Sequence, residues 1–171
     1  MSTAPTSPAP TLSFDPTDPV ALTQALVRCP SVTPEEGGAL ALLDAVLSAE
    51  GYAVHRPVFR EPGTPDVENL YARIGSTAPV FVIAGHTDVV PVGDAASWTR
   101  EPFGGTIENG TLYGRGACDM KGGLAAMVAA AIRYRRDNPD APGSIAFLVT
   151  GDEEGPSVNG TVKLLAWAHE R

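Results

Sequence analysis

The chain has 171 residues, 43% apolar and 19% charged, which is enough to bury one ordinary core in water. That composition excludes collagen, a coiled coil and a wholly disordered polymer. Twelve basic against twenty acidic residues leave a formal charge of −8 with no Lys/Arg cluster, which argues against a nucleic-acid partner.

The opening residues 1–14 are Pro, Ser, Thr and Ala with little to bury, and they predict a disordered tail. They carry neither a positive n-region nor an apolar h-region, so a cytoplasmic location is expected. Asp18-Pro19 supplies an N-cap and a first-position proline for a short helix through Val20, Leu22, Leu26 and Val27, closed by Cys29-Pro30. A second helix is expected from Thr33-Pro34-Glu35-Glu36, with Leu40, Leu43, Val46 and Leu47 on one side and Gly51 as its stop. From Tyr52 to Phe59 and from Val67 to Ile74 the apolar period shortens to that of half-buried strands.

Val80 to Ala84 is apolar at every position, which predicts a central strand covered on both faces. Even with Pro79 it is far shorter than the roughly 20 residues that cross a bilayer. Asn109-Gly110 favours a tight hairpin. An Ala-rich helix follows from Met120 to Arg136, ended by Asn138-Pro139; then come a buried strand from Ser144 to Thr150 and a helix from Thr161 to His169. This alternation predicts an α/β domain of three layers, a mixed sheet between helices. Cys29 and Cys118 lack a C-x-x-C spacing and read as free thiols.

Polar clusters follow three of these segments: Gly85-His86-Thr87-Asp88, Cys118-Asp119 and Gly151-Asp152-Glu153-Glu154-Gly155. Ligands of α/β sheets bind at strand ends, which makes the placement informative. In His-x-Asp a strand puts both side chains on one face, so the carboxylate can hold the imidazole tautomer while the other ring nitrogen takes a metal. Adjacent Glu153 and Glu154 point different ways along an extended chain, allowing one to bind metal and the other to move protons. Gly114-Arg115-Gly116 lacks the remaining residues of a phosphate loop. A nucleophilic Cys118 paired with His86 is a further option, set against the blander reading of a small packing residue.

These residues take their place in an ordered set. Cys29-Pro-Ser-Val-Thr-Pro34, Asn69-Leu-Tyr-Ala-Arg73, Gly85-His-Thr-Asp-Val-Val-Pro91, Trp98 with Pro102-Phe103, Gly114-Arg-Gly-Ala-Cys-Asp-Met-Lys-Gly122, Asp152-Glu-Glu154 and Asn159-Gly-Thr161 together resemble the dinuclear zinc peptidase and deacylase family. The resemblance spans nearly everything after the tail. It implies an amide hydrolase with two Zn2+ ions, Co2+ being an alternative, that removes succinate from N-succinyl-diaminopimelate in lysine and diaminopimelate biosynthesis. Acetylornithine deacetylation and carboxypeptidase activity are the alternatives within the family.

By the same resemblance His86 binds one zinc, Asp119 bridges both, Glu154 binds the second, Glu153 is the general base and acid, and Asp88 orients His86. It implies a cis peptide between Asp119 and Met120, a small-molecule substrate, no membrane, and a homodimer of the complete enzyme. In the family a further Glu and His arrive from later in the chain, so residues 15–171 are expected to be the N-terminal part of the catalytic domain, inactive unaided, with the dimerisation domain absent. A non-catalytic binding module that keeps the fold is the alternative from another class; four matched polar groups at strand ends speak against it.

Overall fold

Asp18 caps helix α1 (Pro19–Val27), its Oδ1 accepting from the backbone N–H of Val20 at 2.9 Å and Ala21 at 3.3 Å. The computed structural model describes residues 12–170. Residues 1–11 of the expected tail lie outside that range; Leu12 and Phe14, at its end, pack against the core.

The second helix, α2 (Ala39–Ala49), begins later than its sequence signals suggest. Gly38, in a left-handed conformation, is its N-cap, so Thr33 to Glu36 lie outside the helix. Glu36 still serves the helix from outside: its Oε2 accepts from the N–H of Leu40 at 3.0 Å and of Ala41 at 3.3 Å. The acid therefore satisfies first-turn donors without being a helical residue.

Strands β1 (Ala53–His55), β4 (Leu70–Ile74), β8 (Ser144–Thr150) and β5 (Val80–His86) form one mixed sheet in the order β1-β4-β8-β5. Two-residue strands β2 (Val58–Phe59) and β3 (Val67–Glu68) make a separate ribbon. β6 (Thr106–Glu108) and β7 (Thr111–Tyr113) close the expected hairpin, with Asn109 at φ 50° and Gly110 at φ 77°. The sequence pair is there because both turn positions need positive φ.

Leu22 and Leu26 of α1, Leu40, Leu43 and Leu47 of α2, and Leu124, Val128 and Ile132 of α3 (Gly122–Asp137) bury one sheet face against Leu70, Phe147 and Val149. Each such side chain contributes about 1.5–3 kcal/mol relative to exposure. On the other face Leu164 of α4 (Thr161–His169) meets Tyr71, Ala146 and Leu148. The three layers are those the alternation predicts.

β5 departs from its expectation. It pairs in parallel with β8 along one side only and is the sheet's edge among the described residues, with Phe81 68% and Val82 48% exposed. An unbroken apolar run carries no period, so it cannot report which neighbours the sheet supplies. No helix of the described residues is long and apolar enough to cross a membrane.

Candidate metal centre at the carboxyl edge of the sheet

The parallel register of β5 and β8 sets His86 opposite Thr150 and carries both chains off the same edge. Thr87-Asp88 and Asp152-Glu153-Glu154, more than sixty residues apart, thereby become neighbours. The third contributor is the turn Ala117–Lys121, which leads into α3 and holds Asp119 in an extended backbone conformation at φ −127° and ψ 102°. Asp119-Met120 is a cis peptide, as the family resemblance implies. Met120 packs under Gly85, and its Sδ accepts from the His86 backbone N–H at 3.4 Å.

His86 is buried, with its two ring nitrogens facing different partners. Nε2 lies 3.1 Å from Asp119 Oδ1 and 3.7 Å from Glu153 Oε2. Nδ1 lies 3.0 Å from the main-chain carbonyl oxygen of Asp88 and 3.5 Å from that residue's Oδ1. The main-chain oxygen of Asp88 is thus the nearer partner of Nδ1 and its carboxylate the second. Burial opposes charge on the imidazole, but hydrogen bonds and charge from Asp88 and Asp119 outweigh it and push its pKa up to about 9.

The Asp88 carboxylate has a second task that the sequence did not suggest. Its Oδ2 accepts from the backbone N–H of Glu153 at 3.0 Å and of Glu154 at 2.9 Å, pinning the acidic pair beneath the His86 end of β5. Asp152, also buried, turns the other way and shapes the following loop by accepting from Ser157 N–H at 3.1 Å and Asn159 N–H at 2.8 Å.

The two glutamates do not diverge as an extended dipeptide would. One ligand atom each from His86, Glu153 and Glu154 lie within 4.8 Å of one another. Burial, reinforced by the neighbouring negative charge of Asp119, raises the Glu154 pKa. A crowd of carboxylates beside one imidazole is a donor set that suits a divalent cation such as zinc or cobalt. Cys118 is a free, exposed thiol and Cys29 a partly buried one. The hydrogen-bonding partners of both His86 ring nitrogens are oxygens, an arrangement that favours the metal-ligand reading over a Cys118 nucleophile.

Sequence reasoning passed over one residue next to the centre. Lys121 is fully buried, and burial pulls its ammonium pKa down to about 8. A lysine held between Asp119 and two glycines at a helix start was the available signal. Arg115 of the glycine pair lies over the Trp98 ring, 5.0 Å from its centroid.

The profile of peptidase family M20/M25/M40 matches residues 82–171. Among curated relatives, succinyl-diaminopimelate desuccinylase of Methylobacterium nodulans is 65% identical over 90% of this chain and 39% of its own length. The enzyme of the same name from Methylorubrum extorquens strain PA1 is 67% identical over 90% of this chain and 40% of its own. The chain thus spans about two fifths of the length of the curated relatives it matches. Among solved structures, human carnosine dipeptidase 1 superposes with a TM-score of 0.74 at 26% identity, covering 91% of this chain and 36% of that one. An M20 family metallo-carboxypeptidase of Sulfolobus solfataricus superposes with a TM-score of 0.68 at 30% identity, covering 85% and 33%.

Proposed function

This chain belongs to peptidase family M20/M25/M40, and from that premise we propose that it carries part of the metal centre of an amide hydrolase that removes succinate from N-succinyl-diaminopimelate. The family is one of metal-dependent hydrolases. The observation that carries the reading is the convergence of His86, Glu153 and Glu154 at the shared edge of β5 and β8, with Asp119 against the same imidazole.

We assign His86 to a first zinc, Asp119 to a bridging position and Glu154 to a second zinc. When bound, the ions would polarise the substrate carbonyl and acidify an attacking water. Asp88 holds the Nδ1 side of His86, leaving Nε2 for the metal side. Glu153, exposed and beside the ligands, takes the water's proton on its carboxylate and returns it to the departing amine nitrogen. Nothing in that sequence asks Glu153 to be a ligand, so base and ligand are separable.

Zinc calorimetry on the chain is expected to give binding that His86→Ala removes. His86, Asp119 and Glu154 supply each ion with two protein donors where catalytic zinc takes three, so weak binding and no turnover are expected of the chain alone. Fused to the remaining portion of the Methylobacterium nodulans relative, the chain should hydrolyse N-succinyl-diaminopimelate with a higher kcat/KM than N-acetylornithine. In that fusion Glu153→Gln should abolish turnover with zinc retained, and Glu154→Gln should lose the second zinc. Faster turnover of acetylornithine would move the assignment to a deacetylase, and a zinc-loaded fusion that hydrolyses neither would refute it.

A further inference from the structure

We infer that Lys121 is a positioning residue, whose buried ammonium ties the turn carrying Asp119 to the strand end carrying His86 and Asp88. The inference rests on the metal-centre reading above but concerns a residue to which that reading gives no role.

The tie begins at the lysine itself. Lys121 is fully buried and donates from Nζ to the main-chain oxygen of Cys29 at 2.7 Å. Its own backbone N–H donates to Gly116 O at 2.9 Å, and its stem runs over that glycine. A Cβ added at Gly116 would lie 2.5 Å from Val89 Cγ1 and 3.2 Å from Lys121 Cδ, so the turn, the stem and the strand end are packed against each other with no room to spare.

From Cys29 the connection continues through a strip of backbone. Ser31, fully buried, donates from Oγ to Thr87 O at 2.6 Å, and its carbonyl accepts from Val89 N–H at 2.9 Å. Val32 and Val89 form an isolated parallel bridge, and Thr33 N–H donates to Val89 O at 3.3 Å. The strip brackets Asp88 from both sides. Asp88 in turn holds the Glu153 and Glu154 amides, so one lysine stands at the start of a chain of contacts that ends on the acidic pair.

A packing role alone would not select this residue. Removing an ammonium from water costs several kcal/mol unless it is paired, and methionine would fill the same volume without that penalty. The ammonium is answered by the Cys29 carbonyl at 2.7 Å. A buried cation that joins the Asp119 turn, through Cys29 and Ser31, to the backbone on either side of Asp88 is the arrangement expected of a group that holds a site's geometry.

The test compares Lys121→Met and Ser31→Ala with Leu164→Ala, a core truncation on the opposite sheet face. In the metal-free chain, hydrogen exchange at the Glu153 and Glu154 amides should accelerate at least about tenfold relative to α4 amides in both tie variants and not in Leu164→Ala. Titrated with Co2+ alone, the tie variants should bind about 10–100-fold more weakly, with a changed visible spectrum, while Leu164→Ala keeps wild-type affinity and spectrum. Should Lys121→Met fail to fold, Ser31→Ala decides. Wild-type exchange in the tie variants, or equal acceleration in Leu164→Ala, would overturn the inference. If the wild-type chain takes up no Co2+, the metal-centre reading fails, and the exchange measurement still judges Lys121.

Discussion

Replacing Asp88 by alanine in the 171-residue chain should remove about 3–6 kcal/mol of stability. The figure follows from two backbone donors, Glu153 N–H at 3.0 Å and Glu154 N–H at 2.9 Å, held by one carboxylate that is 1% exposed. Hydrogen bonds to a charged acceptor contribute about 1.5–3 kcal/mol each, and alanine leaves both donors without an acceptor. For a domain of this length each kcal/mol moves Tm by about 2–4 °C, so a fall of about 6–24 °C is expected by circular dichroism. Asp88→Asn is the informative companion. Its amide oxygen can keep both N–H groups and loses only their ionic component, about half the effect. Because the main-chain oxygen of residue 88 is the nearer partner of His86 Nδ1, at 3.0 Å against 3.5 Å for the carboxylate, the Nδ1–H hydrogen bond to that oxygen should survive in the asparagine variant. Nitrogen-15 NMR of the ring reads that directly. An alanine variant that melts within 2 °C of wild type, or an asparagine variant as damaged as the alanine one, would refute the reasoning.

Other perturbations separate local from tertiary effects. Gly110→Ala, in open space at φ 77°, should lose about 1 kcal/mol, whereas Gly116→Ala, at φ 80° with Val89 Cγ1 2.5 Å from the new Cβ, should lose about 2–4 kcal/mol in urea unfolding. Tyr52 is buried, and burial pushes its phenol up to about 12. Since the folded state keeps a proton that the unfolded chain releases near pH 10, stability is fully present below that pH and declines as pH rises from 10 through 12. Urea titrations should find this decline flattened in Tyr52→Phe; equal slopes in both proteins would contradict it. Val82→Lys on the exposed edge of β5 should reduce binding of an apolar dye and concentration-dependent association while shifting Tm by no more than about 2 °C.

Much of this protein is written in short segments. Asp18-Pro19 starts α1, Asn109-Gly110 turns the hairpin and Ser144 to Thr150 is a strand end to end, because each depends on dihedral preferences and donors within a few residues. The polar clusters at His86, Asp119 and Glu153-Glu154 were legible for the same reason: each directly follows a recognisable segment. The start of α2 was not legible, because Glu36 signals a first turn that it caps from outside. Nor was the edge position of β5, since apolar content reports a tendency to be covered and says nothing of which strand does the covering. The contacts that assemble the centre, Asp88 to the Glu153 and Glu154 amides and Lys121 to Cys29, join residues 65, 66 and 92 positions apart. Local propensities cannot encode such pairs. They follow from the parallel registration of β5 on β8 and the docking of α3's first turn beneath them, which packing of the whole core selects.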